Sequence, residues 1–261
     1  MIPEIFIEQW RNTVKWQRLE QIEQDLIISR ALVDLYNDSH IKEALVFRGG
    51  TALNKLFIQP PARYSEDIDF VQKNSDPIGH TIDAIRELLK PWLGDPKWKL
   101  TQRSAKLIYQ YETINKMPAK LKIEINITEH FQVLPLKTIP FVVKSDWFSG
   151  AADIITYEID ELMATKLRAL YQRRKGRDLF DVWYVAAHGL IQLERVFDIF
   201  REYCAYNNMK ISREEFLKNL ELKKNHRDFN LDMSVLLPSK LNWNFEEAYQ
   251  FVVDNVISGL S

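Results

Sequence analysis

A single cysteine, Cys204, leaves this 261-residue chain without an internal disulfide and without the thiolates of a zinc cluster. A reducing compartment is the simplest expectation. The five histidines (His40, His80, His130, His188 and His226) are scattered, and none forms a His-x-x-x-His pair, so no zinc enzyme is expected. No stretch approaches the roughly 20 apolar residues that span a bilayer. The opening Met-Ile-Pro-Glu-Ile-Phe runs into charged sequence before a secretory apolar segment can form. We therefore expect a soluble, cytoplasmic protein with no membrane partner. The formal charge is only −1, which excludes a global basic field, so a nucleic-acid partner would need a local basic patch. Repeats, low-complexity tracts and long linkers are also absent.

What is present is an ordinary globular mixture, 46% apolar and 27% charged. Apolar periodicity predicts helices over 16–37 and 78–93 and a short one over 51–57, ahead of Pro60-Pro61. Strands are predicted over 44–48, 67–71, 106–112, 121–127 and 141–144. Among these, 121–127 alternates most cleanly, Leu121, Ile123, Ile125 and Ile127 against Lys122, Glu124 and Asn126. From about residue 156 only helices are expected, over 159–175, 178–188, 191–206 and 244–258. The chain thus divides into a mixed half, 1–155, and a helical half, 156–261.

Residues at i and i+2 of a strand share a face, so Asp67 and Asp69 stand side by side while Ile68 and Phe70 point into the core. Carboxylates that close repel unless a cation separates them. Mg2+ favours one or two carboxylates with phosphate oxygens and water, so the pair is a candidate metal seat. Glu124 lies on the polar face of its strand; if that strand pairs beside Asp67 and Asp69, three carboxylates converge, enough for two-metal chemistry on a hydroxyl nucleophile. An isolated Asp-x-Asp is more often a solvated surface pair. The segment upstream shifts the balance. Arg48-Gly49-Gly50-Thr51 follows a buried strand and opens a helix, where glycines admit an anion to the backbone, helix N–H groups face it and Thr51 adds a hydroxyl.

The runs Phe47-Arg48-Gly49-Gly50-Thr51-Ala52-Leu53-Asn54-Lys55 and Arg63-Tyr64-Ser65-Glu66-Asp67-Ile68-Asp69-Phe70 resemble the AbiE-type (AbiEii/AbiGii) toxin nucleotidyltransferases of the polymerase-beta-like superfamily. So do Glu161-Leu162-Met163-Ala164-Thr165-Lys166-Leu167-Arg168-Ala169-Leu170 and Arg177-Asp178-Leu179-Phe180-Asp181, and the likeness covers about residues 44–190. It implies a phosphate loop at Gly49, Gly50 and Thr51, metal-binding Asp67 and Asp69, and a nucleotide-contacting lysine at Lys166. Arg63 and Ser65 are similar to positions near the triphosphate. Thr51 stands where serine is usual in the superfamily, and the hydroxyl is kept.

Lys166 falls at the edge of the apolar face formed by Ile159, Leu162, Met163, Leu167 and Leu170. Either its stem snorkels or its ammonium faces the cleft and neutralises triphosphate charge, the reading that the resemblance supports. Arg173, Arg174, Lys175 and Arg177 complement a helix C-terminus or form a patch for an RNA backbone. Gly176 could end one helix and Asp178 cap the next, with Asp181 completing a capping box; the resemblance makes Asp178 a candidate to position Lys166 or an arginine. The aromatics Trp147, Phe148, Tyr171, Trp183 and Tyr184 could stack on bases, but most such residues are core, and none is assigned to substrate.

The expected fold is α/β (α+β): a short mixed nucleotidyltransferase sheet flanked by helices, then an all-helical domain closing the cleft. The expected reaction moves a nucleoside monophosphate from an NTP to a hydroxyl with Mg2+ or Mn2+, releasing pyrophosphate. By resemblance the acceptor is the 3′ end of tRNA, and the role is that of a toxin with a separately encoded antitoxin. The competing readings are an enzyme that nucleotidylates proteins, a metal-dependent glycosyltransferase, and a silent nucleotide- or RNA-binding module.

Overall fold

The computed structural model describes residues 2–238 and 241–260. The chain forms two compact units, Met1–Phe131 with Leu136–Tyr157, and Gln132–Pro135 with Glu158–Ser261.

The first unit is built on a seven-stranded mixed sheet. Helices α1 (Glu4–Trp10), α2 (Leu19–Tyr36) and α3 (Ser39–Ala44) lead into β1 (Leu45–Arg48). A short α4 (Gly49–Ala52), continued by a π turn at Leu53–Phe57, precedes β2 (Asp67–Gln72) and α5 (Gly79–Leu93). The remaining strands are β3 (Lys97–Leu100), β4 (Ser104–Glu112), β5 (Pro118–Asn126), β6 (Lys137–Lys144) and β7 (Ser149–Thr156). Their order is β3-β4-β5-β2-β1-β7-β6, with β2 parallel to β5, β1 parallel to β7 and the other neighbours antiparallel. The sheet is wider than the sequence suggested, because β3 and β7 add to the five expected strands. One face buries Ile68, Phe70, Leu121, Ile123 and Ile125. Helices α2 and α5 pack on the sheet; Tyr36 lies 6.0 Å from the Phe70 ring centroid, and the Tyr109 hydroxyl donates to the Ile85 carbonyl at 3.4 Å. The alternation that buries these residues turns Asp67, Asp69, Lys122 and Glu124 to the other face.

The second unit is helical, with α6 (Ile159–Gln172), α7 (Gly176–Ala187), α8 (Leu193–Tyr206), α9 (Arg213–Lys224), α10 (Arg227–Leu231), α11 (Phe245–Asn255) and a 3-10 turn at Ile257–Gly259. The buried Glu161 carboxylate accepts from the Val133 and Leu134 amides at 2.8 and 2.9 Å and from the Tyr203 hydroxyl at 2.8 Å. These bonds tie the segment Gln132–Pro135 to α6 and satisfy a charge that burial would otherwise penalise.

Helices α1, α3, α9 and α10 add to those expected, and the junction of α6 and α7 differs from expectation. Helix α6 stops at Gln172 rather than 175, and Gly176 opens α7 instead of closing α6. The reason is contact: a Cβ on Gly176 would lie 2.1 Å from the Phe229 carbonyl oxygen at α10. Gly176→Ala must move backbone rather than a flexible side chain, and we expect it to cost about 2 kcal/mol or more. A lowered urea midpoint with an unchanged slope would report that loss.

Candidate active site

The parallel pairing of β2 with β5 puts Asp67 opposite Lys122 and Asp69 opposite Glu124. Three carboxylates therefore share one face of the sheet, the arrangement expected from alternation. Two lysines that the sequence reading did not single out join them. Lys122 Nζ lies 2.8 Å from Asp67 Oδ2 and 3.3 Å from Glu124 Oε2, and Lys106 Nζ lies 3.0 Å from Glu124 Oε1. Burial acts against charge on Glu124, but Lys106 and Lys122 outweigh it and hold the carboxyl below its usual range. Burial likewise opposes the Lys122 ammonium, and the acids around it, Asp67 foremost, raise its pKa. Lys122 was legible: it alternates in phase with Glu124.

Strand β1 brings the glycine turn to the same place, since Arg48 pairs with Asp69 across the β1–β2 ladder. Gly49 adopts φ +79°, and a Cβ there would lie 2.6 Å from Asp69 Oδ2. Glycine is needed for both its conformation and its lack of a side chain. A Cβ on Gly50 would lie 2.2 Å from Arg63 Nη2. Arg63 is buried, and its Nη1 donates to the Tyr64 carbonyl at 3.0 Å.

Asn54 braces this region. Its Oδ1 accepts from the amides of Ala62 and Arg63 at 3.1 and 3.2 Å, and its Nδ2 donates to the Gly50 carbonyl at 3.0 Å. One side chain thus fastens the Pro60-Pro61 insertion to the turn, a role its sequence position did not announce. The buried Thr51 hydroxyl donates to the Asp67 carbonyl and lies 2.8 Å from Ser65 Oγ. Its proton is engaged inside the protein, which leaves Ser65 as the more accessible hydroxyl of the two. Arg48 Nη1 pairs with Glu129 Oε2 at 3.0 Å, another acid that sequence reading passed over.

Lys166 and Asp178 lie in the helical unit. Lys166 Nζ is 3.0 Å from Asp178 Oδ1 and 3.0 Å from Asp181 Oδ2, and all three side chains are buried. Arg173 completes the cluster, its Nε and Nη2 donating to Asp178 at 2.6 and 2.8 Å. Burial alone would raise the Asp178 pKa, but Lys166 and Arg173 outweigh it and hold the carboxyl far below its usual range. The Asp178 side chain is used on these cations rather than on a cap; the N-cap of α7 is Lys175. Arg177 is engaged by Asp232, its Nε 3.0 Å from Oδ2 and its Nη2 3.1 Å from Oδ1, and Arg174 Nη1 lies 2.9 Å from His226 Nε2.

Among the described residues, no group of three His, Cys, Asp or Glu side chains surrounds a common metal position. The donor set nevertheless suits a hard divalent cation: carboxylate oxygens on one strand face, facing a turn that only glycine fits. Lys122 stands between two of those carboxylates and supplies the positive charge they need.

A seven-stranded mixed sheet flanked by helices, carrying paired aspartates beside a Gly-Gly turn, is the arrangement expected of a nucleotidyltransferase. The family model described as nucleotidyl transferase AbiEii toxin, type IV TA system, matches residues 30–251, and the chain belongs to that family of toxin nucleotidyltransferases. Such a system implies an NTP substrate and an antitoxin partner. Among solved structures, the fold is similar to the nucleotidyltransferase toxin MenT4 from Mycobacterium tuberculosis H37Rv, with TM-score 0.71 and 16% identity over 100% of this chain and 91% of that one. It is also similar to JHP933 from Helicobacter pylori, with TM-score 0.56 and 18% identity over 90% of this chain and 89% of that one. No curated protein sequence matches. Among the described residues, no helix is long and apolar enough to cross a membrane.

Removing the Asp178 charge tests the buried cluster. Asp178→Asn is expected to cost roughly 3 kcal/mol, chiefly through Lys166, because Arg173 is more than half exposed and screened. A carboxyl lowered on folding contributes fully above the unfolded pKa of 3.8 and loses its contribution as pH falls through the lower native value. The stability gap between wild type and variant should thus stay flat from about pH 7 to about pH 5 and shrink below about pH 4, as measured by urea unfolding.

Proposed function

We propose that this protein transfers a nucleoside monophosphate from an NTP to the 3′-hydroxyl of tRNA, with Asp67, Asp69 and Glu124 holding Mg2+ or Mn2+. The observation that carries the reading is the placement of those three carboxylates on one sheet face, with the Gly49-Gly50 turn against Asp69. When bound, the cation neutralises phosphate charge and lowers the pKa of the attacking hydroxyl. Asp67 and Asp69 would hold the cation, and Glu124 would accept the hydroxyl proton or fix the hydroxyl for in-line attack. The pair of glycines lets the triphosphate approach the backbone closely, with Ser65 as hydroxyl donor and Arg48 and Arg63 as nearby positive charge. The sequence resemblance also assigns a nucleotide contact to Lys166, whose ammonium Asp178 and Asp181 hold in place. Nucleotidyl transfer and the toxic role are supported by family membership; the tRNA acceptor is the reading that the sequence resemblance suggests. A separately encoded antitoxin is the expected partner, and the cytoplasm the expected compartment.

Incubation of the protein with each α-labelled NTP, total tRNA and cell extract tests this. Wild type should label RNA, and Asp69→Ala should lower labelling by about a hundredfold or more. Label on protein alone would replace tRNA by a protein hydroxyl as acceptor. Undiminished labelling by Asp69→Ala would remove the metal site from the reaction.

A further inference from the structure

The face that carries Asp67, Asp69 and Glu124 does not end at β5. Antiparallel registry continues it across β4 and β3: Glu124 opposes Lys106, which opposes Lys99; Lys122 opposes Ile108, which opposes Lys97; Lys120 opposes Gln110. Directly opposed residues project to the same side, so Lys97, Lys99, Lys106, Lys120 and Lys122 all stand on the side of the catalytic acids. On that side β3, β4 and β5 carry only two acids, Glu124 and, at the far end of the ladder, Glu112. A chain whose total charge is −1 therefore concentrates positive charge on one patch.

The lysines divide by what they touch. Lys106 and Lys122 are paired with the catalytic acids. Lys97, Lys99 and Lys120 are exposed and have no carboxylate partner among the described residues. Three unneutralised ammonium groups on one sheet face repel one another and are most stable against a polyanion. A groove of about 540 Å³ joins this field to the site, lined by Gln24, Glu66, Asp67, Gln110, Lys120 and Lys122. It leads from the Asp67 carboxylate to Lys120.

We propose that the β3–β4–β5 face is the platform on which the acceptor RNA lies, its phosphates against Lys97, Lys99 and Lys120 and its terminal hydroxyl reaching Asp67 along the groove. This rests on the RNA-acceptor reading above. The lysines contact phosphates rather than bases, so the platform gives affinity and register without sequence preference. RNA is favoured over an acidic protein because the lysines spread over three neighbouring strands of one sheet face that carries only two acids, which suits a repeatedly charged backbone.

The test compares binding of mixed tRNA to wild type, to Lys97→Glu/Lys99→Glu/Lys120→Glu, and to a control that reverses Lys144, Lys210 and Lys218, exposed lysines elsewhere. Each phosphate contact contributes about 0.7–0.9 to the slope of log affinity against log salt. The platform variant should lose about 2 from that slope and bind at least about tenfold more weakly. The milder Lys→Gln triple should fall between it and wild type, guarding against a folding defect. Binding of a non-hydrolysable NTP analogue should be unchanged in all variants, and the control should bind tRNA like wild type. Wild-type tRNA binding and labelling retained by the platform variant, or lost equally by the control, would overturn this inference and leave the proposed reaction standing. Wild-type labelling of protein but not RNA would instead sink the acceptor reading, and the platform with it.

Discussion

The site depends on the register between two parallel strands. Asp69 faces Glu124 because β2 and β5 pair in one register and no other. A slip of a single residue would turn Glu124 to the covered face and expose Ile123 or Ile125, which are fully buried. The hydrophobic alternation that stabilises the sheet is thus the same constraint that gathers the acids. The antiparallel partner β1 adds the glycine turn from the other side, and Gly49 approaches Asp69 so closely that no side chain fits between them. Packing of the core and assembly of the site are one event.

Two lysine–carboxylate clusters in this protein differ in what they can do. Lys122, Asp67 and Glu124 each keep between a quarter and a third of their side-chain surface exposed; pairs in such surroundings contribute about 0–1 kcal/mol. Lys122 therefore prevents bare acid–acid repulsion without locking the site. Lys166 with Asp178 and Asp181 is buried, where breaking a pair costs about 3–5 kcal/mol. That cluster keeps a charge in a fixed place. The surrounding solvent, more than the residue types, separates an exchangeable counter-charge from a permanent one.

Much of this was legible in the sequence. Alternation in 121–127 and the Asp-x-Asp spacing located the acids, and the Gly-Gly-Thr run between a strand and a helix located the turn that packs against Asp69. What escaped did so for physical reasons. β7 begins Ser149-Gly150-Ala151-Ala152, small residues with little strand preference, and is held by pairing with β6 and by the Thr156 hydroxyl donating to the Phe47 carbonyl at 2.7 Å. β3 is an exposed edge strand of four residues rich in lysine, a composition that protects sheet edges and hides them from hydrophobic patterning. α9 could have been read: Ser212 and Glu215 form a capping box, but only Phe216 and Leu220 supply its apolar face. Gly176 looked like a helix terminator because its real requirement, close approach of the Phe229 carbonyl, comes from residues over fifty positions away.

The central claim is that Asp67, Asp69 and Glu124 act as one cation seat shaped by strand register. Its most direct test is Mn2+ binding, followed by electron paramagnetic resonance with a non-hydrolysable NTP present, in wild type and in Asp67→Asn, Asp69→Asn and Glu124→Gln. The account predicts bound Mn2+ in wild type and weaker binding in each variant, with folding stability largely unchanged because all three side chains are partly exposed. Mn2+ bound equally well by all four proteins would contradict it.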